Sequence, residues 1–338
     1  MIIYLTNRAT SPSVSSVKSI DFASIAKSFA DDGEAYKALE AIRWPNGPIC
    51  PHCGVIDDAV YLEPKNGGRK TNRGKVSLRR VWKCKACKKQ FSVTVGTIFE
   101  RSHIPIHKWL MAVYLMSANK NGISAHELHR ELKITYKTAW FMCHRIREAM
   151  KREPLASRFS GTVIADETWI GGTPRNRHRQ QRYTEGYAEA HKATVLSLVH
   201  PESGEVRSQV IPNVRGNTLR AAIEAQVDLP ATDLQTDHHQ PYIPIGWKAA
   251  SHGRVNHAMS EYVGPGGETT NHAEGYFSQL KRSVDGTFHH VSHEHLPRYL
   301  AEFDYRYSTR KMPDGERAVR TIQQATGRRL TYRQPRKG

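Results

Sequence analysis

Three carboxylates stand out in a strongly basic chain. Asp166 interrupts TVIADETWI, an apolar run with strand character, where an unpaired carboxylate carries a heavy desolvation cost. Asp237 closes ATDLQTD, where a short strand gives way to HHQPY. Glu274 lies in NHAEGYFSQLKR, which reads as an amphipathic helix. In that helix Asn271, Glu274, Ser278 and Lys281 fall in one stripe about 80° wide, opposite Ala273, Tyr276, Phe277, Leu280 and Val284. Singly, each acid has an ordinary explanation as a turn cap or a solvated helix face. Together they place an acid on a first strand, an acid after a later strand and an acid on a following helix. Such a set offers oxygen ligands to two Mg²⁺ ions about 4 Å apart, an arrangement suited to in-line attack on a phosphodiester. Lys281, on the same stripe, would bind the DNA backbone beside the scissile phosphate. Asp233, Glu167 and Asp304 read as spare, structural acids.

The charge supports an anionic partner. The chain has 338 residues and a net charge of +18, and the charge is clustered rather than spread. From Lys65 to Lys89 there are eleven Lys or Arg and no acid. Lys70, Arg73, Lys75, Arg79 and Arg80 belong to that run. RNRHRQQR adds Arg175, Arg177, Arg179 and Arg182, and Arg317 to Lys337 carries seven more basic residues. Clusters of this kind suit phosphate contacts, so these residues, with Lys281 and Arg282, are candidate DNA contacts. No apolar run approaches the ~20 residues of a membrane span. MIIYL is too short for a signal-peptide core. The expected location is the cytosol, on the nucleoid when DNA is bound, where cysteines stay reduced unless they hold metal.

Four cysteines fit that exception. Cys50-Pro-His-Cys53 and Cys84-Lys-Ala-Cys87 are paired C-x2-C knuckles. Each aims two thiolates at one tetrahedral position, and four thiolates close a structural Zn²⁺ site. Redox dithiols or four unrelated core cysteines are the competing readings, and neither explains the pairing. KNGGRKTNRGK between the knuckles reads as an extended hairpin tip. Cys143, on an apolar helix face, reads as core.

The elements that must position these groups can be read in outline. Residues 1–35 form a weakly structured leader, with FASIAKSF a possible short helix. Residues 36–100 form a zinc ribbon, residues 101–152 a helical DNA-binding segment, residues 161–312 a catalytic domain of alternating strands and helices, and residues 313–338 a basic tail. In the helical segment SAHELHREL opens with a capping box, Ser124 and Glu127, and Thr135 caps a further helix after a short turn. That pattern suits a helix-turn-helix whose reading residues include Tyr136, Lys137, Lys151 and the face bearing Arg145. A plain helical bundle is the competing reading. Farther on, PESGE reads as a hairpin turn, and Ser292 as the cap of a last helix with Val291 and Leu296 as its hydrophobic staple.

CPHCG…WKCKACKKQFSVTVGTIFERSHIPIHKWL, ADETWIGG, TNHAEGYFSQLKR and GTFHHVSHEHLPRYLAEFDYRYSTRK together resemble the zinc-ribbon insertion-sequence transposases of the ISXO-like type. The resemblance runs from about residue 40 to 312, in the family's order. It implies an α/β fold in which an RNase H-like catalytic domain, a mixed sheet flanked by helices, follows a zinc ribbon and a helix-turn-helix-like segment. It also implies Mg²⁺-dependent cleavage and strand transfer of an element's ends, with Mn²⁺ able to substitute. Asp166 and Asp237 carry over as the first two catalytic acids. Asn271 aligns with the family's third position, while Glu274, one turn on, is the alternative or supporting ligand. The implied partner is double-stranded DNA, both element ends and target, and joining two ends implies at least a homodimer. A catalytically inactive or domesticated DNA-binding protein and an RNase H-like nuclease are the alternatives.

Overall fold

The computed structural model describes residues 31–64, 69–70, 74, 76–151, 157–171, 192–256, 263–264 and 267–331. Arg73, Lys75, Arg175, Arg177, Arg179, Arg182 and the helix expected in FASIAKSF lie outside the described residues, as does the side chain of Lys70.

Helix α1 (Asp32–Arg43) begins at Asp31, whose side chain accepts the Glu34 N–H, so the last residues read as leader already belong to a helix. A small antiparallel sheet follows, formed by β1 (Ala59–Tyr61), β4 (Trp82–Cys84) and β5 (Gln90–Phe91). Between β1 and β4, β2 (Arg69–Lys70) pairs antiparallel with β3 (Val76–Ser77), which is the hairpin expected between the knuckles.

Helices α2 (Ile106–Ala118), α3 (Ala125–Leu132) and α4 (Tyr136–Met150) come next. Ser124 accepts the Glu127 N–H, Lys133 turns the chain in the left-handed region at φ 48°, and Thr135 accepts the Thr138 N–H. Helix, turn and helix thus start and stop where the capping residues place them. One core spans ribbon and helices. Cys50, Cys84 and Phe91 join Leu39, Trp109, Met116, Leu128 and Met142 in it.

The C-terminal half is built on a five-stranded sheet in the order β10-β9-β6-β7-β8. Its strands are β6 (Phe159–Ile170), β7 (Ala193–His200), β8 (Glu205–Ile211), β9 (Val227–Asp237) and β10 (Ser251–Val255). β6 to β8 are antiparallel neighbours, β7 and β8 turning at the expected hairpin, while β9 and β10 run parallel to β6. Helices α5 (Gly216–Glu224) and α6 (Ile243–Gly246) lie on the face lined by Val163, Ala165 and Leu234. Helices α7 (Asn271–Ser283) and α8 (Leu296–Ser308) cover the other face, lined by Ile164 and Val195. This is a mixed sheet with helices on both faces, as an RNase H-like domain requires.

Two local expectations change. Ser292 does not cap α8: His295 precedes the helix without a side-chain cap, although Val291 and Leu296 are both buried as the staple required. The stretch read as a basic tail contains α9 (Asp314–Gln323), whose Ala318 and Ile322 enter the N-terminal core. Its hydrophobic face was hidden by the count of arginines.

Candidate active site

Period-two alternation decides where Asp166 points. On β6, Ile164 faces α7 and Ala165 faces α5. Asp166 therefore shares the α7 side with Ile164. In β9 Leu234 packs toward α5, so Gln235 and Asp237 share the α7 side as well. The strands are in parallel register through Ala165 and Thr236, and the next residue on each is Asp166 and Asp237. Two half-buried carboxylates thus leave neighbouring strands on one face. Asp166 Oδ1 accepts the Glu167 N–H at 2.7 Å, and Asp237 Oδ1 accepts the His239 N–H at 3.1 Å.

The segment entering α7 is tied to the same strand. Thr269 N–H donates to Gln235 Oε1 at 3.1 Å, and Thr269 Oγ1 in turn accepts the Asn271 N–H at 3.1 Å. Glu268 crosses β10 where only glycine leaves room, since a Cβ on Gly253 would lie 2.1 Å from its Cγ. Asn271 opens α7 and Glu274 follows one turn later, both exposed, while Ala273, Tyr276, Phe277 and Leu280 anchor the opposite face in the core. Lys281 and Arg282 are exposed on the same helix. Lys281 is about 15 Å along the axis from Asn271 at ~1.5 Å per residue, so it extends the polar track rather than joining the acids. Ser278 Oγ accepts from Arg282 at 2.7 Å.

Glu167 turns to the other face and lies against the buried Tyr242. Burial pushes its carboxyl up to about 7, and the negative charges of Asp237 and Asp166 push the same way against a lowering contact from Tyr242. Glu167 thus senses the two aspartates through the sheet, while Asp166 and Asp237 are the carboxylates on the α7 side. Hard oxygen donors of this kind fit Mg²⁺ or Mn²⁺ rather than a thiophilic metal. Sequence reading set Glu167 aside as spare and missed Gln235. The alternation of ATDLQTD carried a signal for Gln235, because it places this polar side chain on the face of Asp237.

The cysteines form a second centre. Cys50 Sγ lies 3.7 Å from Cys87 Sγ, and Cys53 Sγ 3.7 Å from Cys84 Sγ. A tetrahedral site with Zn–S bonds of about 2.3 Å has sulfur–sulfur edges of about 3.8 Å, so the donor set fits zinc. Among the described residues these four are the group of Cys, His, Asp or Glu arranged to hold a metal, with all ligand atoms within 4.8 Å of one another. Asp166, Asp237 and Glu274 do not form such a group by themselves. Cys143 is buried in the helical core, as expected.

The candidate DNA contacts divide. Tyr136, 42% exposed and stacked on His126, and the exposed Lys137 project from the first turn of α4. Arg145, however, is buried and donates to the Glu100 carbonyl, and Lys151 pairs with Glu148. Arg145 therefore cannot be a reading residue. Arg80 is half-buried, bonded to Glu40 at 2.7 Å with its guanidinium 4.2 Å from the Tyr61 ring centre. Arg79 stays exposed and donates to Ser92 Oγ.

A zinc ribbon, a capped helix-turn-helix and an RNase H-like sheet bearing paired aspartates define a class, the RNase H-like transposases. Residues 158–308 match the ISXO2-like transposase domain and residues 30–90 the transposase zinc-ribbon domain. The two matches give the chain a transposase zinc ribbon followed by an ISXO2-like transposase domain. It is 28% identical over 313 residues, 88% of this chain and 97% of the relative, to an uncharacterized protein in transposable element ISH50 of Halobacterium salinarum. Among the described residues no helix is long and apolar enough to cross a membrane.

Proposed function

We propose that the chain binds the ends of an insertion sequence and carries out Mg²⁺-dependent DNA cleavage and strand transfer. The observation that carries this reading is the shared face and neighbouring register of Asp166 and Asp237, with the Asn271 end of α7 tied to the same strand through Gln235. Asp166 and Asp237 hold the cation, Asn271 completes the site and Glu274 supports it from the next turn. A divalent cation there supplies Lewis-acid stabilisation of charge on the phosphoryl oxygens. Lys281 and Arg282 follow the phosphate backbone along α7. The first turn of α4, with Tyr136 and Lys137, enters the major groove, and Lys70, Arg73, Lys75 and Arg79 of the ribbon contact phosphates. The basic stretch containing Arg175, Arg177, Arg179 and Arg182 adds further phosphate contacts, and the active form is at least a dimer because two DNA ends must meet.

The test is cleavage and joining of an end-labelled duplex carrying the element's terminus. The wild type is expected to nick at the end and transfer it, and Asp166→Ala and Asp237→Ala to abolish both. Asn271→Ala is expected to lose more rate than Glu274→Ala. Cleavage without joining would make the chain a nuclease. Mg²⁺-dependent binding without any cut would make it a binding protein on a retired catalytic fold.

A further inference from the structure

The first turn of α4 points outward, but the rest of the helix runs into the protein. From Met142 to Arg147 every residue is buried. Arg147, 1% exposed, donates to Glu302 Oε2 at 2.7 Å, and its guanidinium stacks 3.7 Å from the centre of the Tyr299 ring. Glu302, on α8, is wholly buried. Its Oε1 accepts from Arg306 at 2.9 Å, and Arg306 also reaches the Asn119 carbonyl in the turn between α2 and α3.

The same turn is wedged against the C-terminal half. A Cβ on Gly122 (φ +87°) would lie 2.6 Å from Arg306 Nη1, 2.8 Å from Phe288 Cζ and 3.0 Å from Glu302 Oε1. Beside it, Gln279 of α7 donates to Asn121 Oδ1 at 2.6 Å and to the Lys120 carbonyl at 3.2 Å. Three ties therefore join the reading module to the two helices behind the acids. A buried Arg–Glu–Arg set is a poor source of net stability, since desolvation offsets much of the attraction. What such a set supplies is direction, because the planar guanidinium donates along fixed in-plane directions and Glu302 is held from both sides.

We propose that this junction is a ruler. Glu302 acts as a positioning residue, through Arg147 and Arg306, that fixes the distance along the duplex between the base pairs read at Tyr136 and Lys137 and the phosphodiester cut at Asp166 and Asp237. The inference rests on the function proposed above. It goes further in assigning the choice of scissile phosphate to protein geometry rather than to the terminal nucleotides.

The experiment maps cleavage at single-nucleotide resolution with the full chain in Mg²⁺. In one arm, two base pairs are inserted between the protected footprint and the element's end. The wild type is expected to cut at an unchanged distance from the footprint, two base pairs away from its former terminal nucleotide. Cutting that stays with the terminal nucleotide overturns the proposal. In the second arm, Arg147→Met with Glu302→Leu and Arg306→Met replaces the ion set by apolar side chains, and Gln279→Ala loosens the junction without touching that core. Both are expected to bind the end within twofold of wild type and to spread the cut over neighbouring phosphates. A slower cut at the original single phosphate in Gln279→Ala is a structural effect only and overturns the proposal, even if the triple variant fails to fold. A wild type that never cuts sinks the transposase reading itself and the ruler with it; a wild type that cuts while the variants keep their phosphate sinks the ruler alone.

Discussion

Gln235 accepts the backbone N–H of Thr269 at 3.1 Å, so a side chain two residues before Asp237 holds the chain two residues before Asn271. That single bond links the second acid's strand to the helix carrying the third candidate ligand. Gln235→Met keeps the volume and removes the acceptor. Single-turnover cleavage is expected to fall by roughly 10- to 100-fold, the usual cost of losing a group that orients a ligand. The unfolding free energy should fall by about 1–3 kcal/mol, the range for removing one partner of a hydrogen bond. Equal loss of rate and of fold would remove the orienting role.

Zinc should be stoichiometric and structural. One Zn²⁺ per chain is expected by elemental analysis, and Cys84→Ser should lose it together with near-ultraviolet signal from Trp82 and Trp44, whose rings meet edge to face at 6.2 Å. Cys143→Ser should retain the full zinc content, since Cys143 stands apart from the four ligands in the helical core.

Asp304 provides a pH test away from the acids of the site. It accepts from Tyr276 and Ser208, and burial nonetheless raises its carboxyl to about 6. The folded chain thus holds a proton there more tightly than the unfolded chain, whose carboxyl titrates near the ordinary 3.8. This group's contribution to stability is then greatest below pH ~4, falls as the pH rises to ~6 and is level above, by at most about 3 kcal/mol. The difference between wild-type and Asp304→Asn unfolding curves should show that slope. A flat difference across the interval would show that the carboxyl titrates normally.

Salt dependence separates reading cations from structural ones. Lys137→Ala should weaken binding across sequences and reduce the slope of log K against log salt by about 1. Arg80→Ala should leave that slope unchanged while lowering the melting temperature, because its partners are Glu40 and Tyr61. An altered slope in Arg80→Ala would return it to the DNA surface.

The contrast between Lys137 and Arg147 explains how far sequence reading reaches. Spacing within one element was enough for the cysteine knuckles, for the caps at Ser124 and Thr135, and for the two faces of NHAEGYFSQLKR. Each depends on neighbours a few residues away. Arg145 looked like part of a basic reading face because its partner is remote, the Glu100 carbonyl 45 positions away, and the buried Arg147 meets Glu302 across 155 positions. Glu167 looked spare for the same reason, since Tyr242 and Asp237 come beside it only when the sheet forms. Charge content labelled the last residues a tail, while the apolar side of α9 needed a distant core to have meaning.

That last helix has a genetic consequence. Ala318 and Ile322 complete the core built by α1 and α2, Arg317 donates to the Ser117 carbonyl at 2.6 Å, and Arg43 reaches Thr326 at 3.0 Å across 283 positions. The N-terminal core is thus completed by residues that follow the five-stranded sheet domain in the sequence. A nonsense mutation just after Pro313 would spare every candidate catalytic and zinc-binding residue, yet remove Ala318 and Ile322 from the core they share with α2. Such a truncated product should fail in the half of the molecule farthest from the lesion, with protease sensitivity appearing first in α1 and α2. A chain truncated there is expected to lose binding of the element's end, which an electrophoretic mobility shift would show, although Asp166, Asp237 and the four cysteines are all retained.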